Sequence, residues 1–90
     1  MATDAASLAA VRASLVEGWA AMLQGDLGVA LDTARSALET ETDPRPLAVA
    51  AALAAGAARR AFAAGDREMG TLASGVMVRC LAAMPREGQA

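Results

Sequence analysis

Few side chains in this sequence can do chemistry. Histidine, lysine, asparagine and tyrosine are all absent, which leaves ten carboxylates, eight arginines and the single thiol of Cys80. Without histidine, the usual general base and the commonest zinc ligand are both missing. The carboxylates fall at turn and surface positions and never pair on an apolar face, so no acid–base couple takes shape. There is no glycine-rich phosphate loop: Ala55-Gly56-Ala57-Ala58 reads as small-residue helix packing. The sequence therefore assigns no catalytic residue, metal ligand or cofactor, and the chain is expected not to be an enzyme.

Cys80 shares an apolar stretch with Val76 and Leu81 and has no second cysteine to pair with. It reads as a small buried hydrophobe, the alternative being a redox or intermolecular thiol. A lone thiol with no disulfide framework suits a reducing compartment. The net charge is −2 and no surplus of arginine is evident. Nucleic acid is therefore not an expected partner, because duplex binding concentrates positive charge on one face. The first basic residue is Arg12, so the start shows no charged leader. The longest uncharged apolar run, Leu47 to Ala58, has twelve residues, whereas a span needs about twenty. These readings predict a cytoplasmic protein without a membrane segment.

The elements that must position these groups are set by a repeated piece of punctuation. Gly25-Asp26 and Gly65-Asp66 lie forty residues apart, each between two alanine-rich stretches. Glycine takes the left-handed conformation that ends a helix, and aspartate accepts hydrogen bonds from the free N–H groups opening the next. Four helices follow. The first covers about 4–24, with Leu8, Val11, Leu15, Trp19 and Met22 as its apolar stripe. The second follows Asp26 and loses its period at Glu39-Thr40-Glu41-Thr42. Asp43-Pro44-Arg45-Pro46 is a break, with Asp43 as a cap, before a third helix from about Pro46 to Ala64. That helix carries no charge before Arg59-Arg60 and is expected to be buried all round over its first three turns. The fourth covers about 67–84, with Met69, Leu72, Ala73, Val76, Cys80 and Met84 as its stripe, and Pro85 ends it before a frayed tail.

Short connections force antiparallel neighbours. The expected fold is all-α, a single domain of four antiparallel helices in two stacked αα-hairpins. Hairpin one takes about 4–40, a linker about 41–46, and hairpin two about 47–85. With 26 alanines among 90 residues, packing should be close and thin, since alanine adds helix propensity but little buried area.

Gln24-Gly25-Asp26-Leu27-Gly28-Val29-Ala30-Leu31, followed by Ala37-Leu38-Glu39 and later Asp43-Pro44, resembles the tetratricopeptide repeat. That family carries a Q-G-D-Y run and then E-A-L at its mid-repeat turn, and ends near a proline. Gly18, Ala30 and Ala37 stand at its small-residue positions, and Ala58, Gly70 and Met77 at those of a second unit. The period here is forty, not the family's 34, and Ser14 and Ala54 stand where its signature tryptophan would be. The resemblance covers about 14–85 and extends to alanine-rich bacterial helical repeats. It implies a TPR-like α-solenoid fragment or small bundle that binds a peptide or another protein in a groove lined by the first helix of each hairpin. The implied lining is Arg12, Leu15, Trp19, Met22 and Leu23 from one helix, and Ala52, Ala55, Arg59, Phe62 and Ala63 from the other. The family's carboxylate clamp uses lysine and asparagine and does not carry over, because this chain has neither.

The residues themselves leave alternatives. Trp19 reads as a core anchor between hairpins or as a partner-facing anchor. Arg59-Arg60 complements the end of its helix, or Arg59 grips an acidic residue of a partner. Met77, Val78 and Leu81 widen the fourth stripe beyond what one neighbour covers, which predicts self-association, most simply as a homodimer. The leading function is a non-catalytic protein-interaction or scaffold module. The alternatives are a regulatory bundle with an apolar pocket lined by Leu15, Trp19, Phe62 and Met69, or an accessory subunit of a larger enzyme.

Overall fold

The computed structural model describes residues 5–40 and 44–84. The capping and terminating roles assigned above to Asp43 and Pro85, and the tail, lie outside these residues, as do the side chains of Leu8 and Val11. Four helices make up the described chain: α1 (Ala5–Leu23), α2 (Leu27–Thr40), α3 (Pro44–Ala63) and α4 (Arg67–Ala83). The fold is all-α, and no strand occurs among the described residues.

The two Gly-Asp turns are built alike. Gly25 and Gly65 take φ values of +90° and +83°, the left-handed region that disfavours any side chain. The N–H of Gly25 donates to the carbonyl of Met22 at 3.0 Å and that of Asp26 to Ala21 at 2.8 Å. Gly65 to Phe62 and Asp66 to Ala61 repeat both distances. This pattern closes the free carbonyls at a helix end. Each aspartate then opens the next helix: Oδ1 of Asp26 accepts from the Val29 N–H at 3.3 Å, and Oδ1 of Asp66 from the Met69 N–H at 3.1 Å. One turn therefore ends and starts a helix within three residues and folds each pair back on itself.

The link between hairpins is shorter than the sequence predicts. Helix α3 begins at Pro44 and not at Pro46, so only residues 41–43 separate it from α2. Both prolines fit the first turn because its N–H groups have no acceptor within the helix. At the other end, Met84 takes an extended backbone (φ −72°, ψ 139°), the conformation favoured before proline.

Helices α1 and α3 form one layer and α2 and α4 the other. Contacts join α1 to α2, α3 to α4, α2 to α3, and each helix to its neighbour within the layer; α1 and α4 do not meet among the described residues. Alanine dominates the core: Ala30, Ala34 and Ala37 from α2, and Ala50, Ala54, Ala57 and Ala61 from α3, are all buried, with Leu15, Leu47, Leu53 and Cys80 as the larger members. Small residues set the spacing. A Cβ on Gly18 of α1 would stand 2.8 Å from Cβ and Cγ2 of Thr33 on α2 and 3.0 Å from a methyl of Leu53 on α3. Three helices close on that one glycine.

Helix α3 is not buried all round, contrary to the sequence expectation. Ala48, Val49 and Ala52 are exposed, because α2 and α4 cover only one side of it. The segment Arg45–Ala63 is by length and composition long and apolar enough to cross a membrane, with a mean hydropathy of 1.2, and half of it is buried inside the fold. The twelve-residue uncharged run is the middle of this longer helix.

Candidate functional site

Two antiparallel hairpins in sequence leave their first helices, α1 and α3, side by side and parallel. The face of this layer turned away from α2 and α4 carries a trough. On α1 its wall is Arg12, Val16, Trp19 and Leu23, spaced four, three and four residues apart along one face. On α3 the matching stripe is Arg45, Val49, Ala52, Gly56, Arg59 and Ala63. The trough consists of two adjoining hollows of about 430 and 720 Å³, and Trp19 lines both.

Trp19 is 38% exposed, so it is neither the buried anchor of one sequence reading nor a free surface ring. Leu15 and Met22 are buried beneath it as the floor. Gly56 makes room for that floor: a Cβ there would lie 2.7 Å from Sδ of Met22. Val16, 68% exposed, and the half-exposed Leu23 and Val49 give the walls apolar surface open to solvent.

Charge is unevenly divided. Arg12, near the middle of α1, and Arg45, in the first turn of α3, flank one hollow, and Arg59 and Arg60 flank the other. None of the described carboxylates (Glu17, Asp26, Asp32, Glu39, Asp66, Glu68) lines either hollow. Along α3, Arg45 and Arg60 are fifteen residues apart, a rise of about 22 Å at 1.5 Å per residue. The trough is apolar along its length, with arginines bordering both hollows.

Of the residues predicted to line such a groove, Arg12, Leu15, Trp19, Met22 and Arg59 come together here, with Leu23, Ala52, Ala55 and Ala63. Phe62 does not line it. Its ring lies over Gly70 of α4, where a Cβ would come within 2.7 Å of three ring carbons. Phe62 precedes Ala63 by one residue and so stands about 100° round the helix from the trough. The alternative pocket from Leu15, Trp19, Phe62 and Met69 is not brought together among the described residues, since Phe62 lies off the trough and Met69 is on α4, which makes no contact with α1 there. Sequence reasoning missed Val16, Arg45, Pro46, Val49, Gly56 and Arg60. The three-and-four spacing from Arg12, Ala52 and Arg59 was the available signal for most of them.

A second surface appears when the forty-residue repeat is laid over the fold. In hairpin one, Met22, Ala30, Leu31, Ala34 and Ala37 are buried and Leu38 packs against the core, because hairpin two covers that side. Their counterparts forty residues on are Phe62, Gly70, Thr71, Ser74, Met77 and Val78. Of these, Phe62, Thr71 and Val78 are exposed, with Leu81 beside them at 50%. Ser74 and Met77 are half-buried, and Met77 packs against the core. Gly70 is buried, so hairpin two leaves only part of the corresponding face open.

Cys80 is fully buried, and burial pushes its thiol pKa up, away from reactive thiolate. Among the described residues no cluster of three or more histidine, cysteine, aspartate or glutamate side chains could hold a metal ion.

The molecule is an all-α stack of two helical hairpins with a lined trough on one layer and an uncovered apolar end. It matches no protein-family model, no curated protein and no solved structure.

Proposed function

We propose that this chain is a non-catalytic interaction module of tetratricopeptide type, whose α1–α3 trough docks a segment of another protein. One observation carries the reading: Trp19 sits half-exposed where two apolar hollows meet, on the layer formed by the first helix of each hairpin. Tryptophan in such a setting is the residue most enriched among binding hot spots. The paired turns, and the crossing at Gly18, support the repeat assignment.

Self-association belongs to the same reading. The open face of hairpin two repeats a face that hairpin one already buries, so a second copy is a fitting cover, with Phe62, Val78 and Leu81 at its centre. Met77 contributes from the edge of the core.

The docking test uses affinity capture with the wild-type chain and with Val16→Asp. Val16 is exposed enough that the substitution should leave the fold intact. The expected result is one stoichiometric protein captured by the wild type and lost by the variant, with a shift of Trp19 fluorescence in the purified complex. Retention of that protein by Val16→Asp, with unchanged Trp19 emission, would refute docking in the trough. A small molecule that raises the melting temperature while no protein is captured would favour the ligand-binding alternative instead.

A further inference from the structure

Resting on the self-association reading, we infer that a second copy of this chain docks on α4 as a closed two-fold pair, with its own α4 running antiparallel to the first. The surface that carries this is self-complementary about one point. Thr71, Gly75, Val78, Leu81 and Ala82 are exposed on α4 and Ser74 is half-buried, and together they recur at spacings of three and four along one face. Thr71 and Val78 lie equally far on either side of Ser74-Gly75. Glu68 and Arg79, both exposed, are eleven residues or about three turns apart, so they share one side of the helix. Their midpoint falls within one residue of the same place. Gly70 stands about 200° round from Glu68, on the opposite side, and carries the half-exposed Phe62 ring above it. The half-exposed Leu81 is eleven residues beyond Gly70, so this pair is centred there too.

A two-fold axis beside Ser74-Gly75 turns α4 end for end and brings the unlike members of each pair together. Val78 of one copy meets Thr71 of the other, Phe62 meets Leu81, and Glu68 meets Arg79, each contact occurring twice. The residues at the axis are small, and nothing in the chain stands within 4 Å of a Cβ on Gly75. The two helices can therefore come close.

Other arrangements of two copies fit this surface worse. A parallel pair would set Glu68 on Glu68 and Arg79 on Arg79. An open stack would lay hairpin one of a second copy on hairpin two, as hairpin two lies on hairpin one. The fully buried Ala50, Leu53, Ala54 and Ala57 of α3 would then be replaced by residues forty earlier: Ala10, Ala13, Ser14 and Glu17, all exposed. Glu17 would be buried where α3 has a methyl group, and an unpaired buried carboxylate is costly. The closed pair leaves Glu17 in water.

The test is disulfide cross-linking of cysteine variants by oxidised glutathione, read on a non-reducing gel beside light scattering. Wild type is the blank, because Cys80 is fully buried. Gly75→Cys, next to the axis, should give a covalent species of about twice the 9.0 kDa chain mass. Glu68→Cys and Arg79→Cys should not link to themselves, since antiparallel pairing holds the two copies of each about 20 and 14 Å apart along the axis. Mixed together, those two variants should cross-link. In solution, Glu68→Arg or Arg79→Glu alone should weaken self-association roughly tenfold, because each turns two attractive pairs into repulsive ones. An equimolar mixture of the two should restore it. Circular dichroism of each variant checks that the helices persist.

Self-linking of Glu68→Cys and Arg79→Cys would mean a parallel pair and overturn the antiparallel one. A dimer in which Gly75→Cys never links, or a mass that climbs steadily with concentration, would overturn the closed α4 contact. Each of these results leaves self-association itself standing. A wild type that is monomeric at micromolar concentration removes the self-association reading, and this inference with it.

Discussion

Gly18→Ala, a change of one methyl group, should destabilise the molecule even though alanine is the better helix former. The new Cβ would lie 2.8 Å from Cβ and Cγ2 of Thr33 and 3.0 Å from a methyl of Leu53. Against a carbon–carbon optimum of roughly 3.5–4.0 Å, these approaches are about 0.5–1.2 Å too close. Neither neighbour can yield easily. The Thr33 hydroxyl donates to the Val29 carbonyl at 2.9 Å, which holds its rotamer, and its Cβ is fixed to the backbone. Leu53 is fully buried. Relief must therefore come from moving α1 as a body, and overpacking of this kind costs about 1–3 kcal/mol. Helix propensity returns about 1 kcal/mol, and because two of the three overlaps are on rigid atoms, a net loss of about 1–2 kcal/mol is expected.

At roughly 4–8 °C per kcal/mol for a domain of this size, the melting temperature should drop by about 5–15 °C. Gly75→Ala supplies the contrast, since nothing stands within 4 Å of its Cβ. The same chemical change there should raise stability by about 0.5–1 kcal/mol. Thermal and urea unfolding followed by far-ultraviolet circular dichroism would measure both. Adding Thr33→Ala to Gly18→Ala removes the Cγ2 overlap and should recover part of the loss, a coupling of about 0.5–1 kcal/mol. The close three-helix crossing is wrong if Gly18→Ala is as stable as the wild type or shifts in the same direction as Gly75→Ala. Because Leu53 belongs to α3, that outcome would also undermine the placement of α1 beside α3, and hence the trough.

Gly25→Ala and Gly65→Ala should each cost about 1 kcal/mol, because both place a side chain in the left-handed region, and their effects should add in the double variant; a silent substitution at either would contradict the shared turn geometry. Cys80 is the only side chain here that titrates between about pH 6 and 12, since histidine, lysine and tyrosine are absent. Its folded pKa is raised above 9.0 by desolvation, so the unfolded chain loses the proton first. Stability should be level from about pH 6 to 9 and then decline by at most about 1.4 kcal/mol per unit as pH rises toward the folded pKa, a slope that Cys80→Ala should abolish. Light scattering should give about twice the 9.0 kDa chain mass at micromolar concentration, and Leu81→Glu or Val78→Glu should halve it. Met77→Glu is the poorer probe because Met77 packs against the core. A monomeric wild type would remove the self-association reading.

Much of the architecture was legible in the residues because its causes are local. Gly25-Asp26 and Gly65-Asp66 carry their own backbone geometry, so the positions of both turns, four helices and antiparallel pairing followed from spacing alone. The boundary at Pro44 was misplaced by two residues, since proline tolerance in a first helical turn reads equally well as a break. The α1 stripe left Trp19 open between a core anchor and a partner-facing one, and the fold buries Leu15 and Met22 while leaving Trp19 half out.

The sequence by itself determined the helices, their turns and the poverty of reactive groups, all of which depend on a residue and its near neighbours. Only the tertiary structure decided which faces remained uncovered. A helix has one stripe but can have neighbours on several sides, and which sides are filled depends on where the chain returns. Stacking set α1 parallel to α3, so arginines thirty-three and more residues apart in sequence, Arg12 with Arg45 and Arg59, came to border one concavity. The same stacking buried Met22 and left Phe62, its counterpart forty residues on, at the surface. Helical periodicity cannot distinguish those two positions; a covering hairpin can.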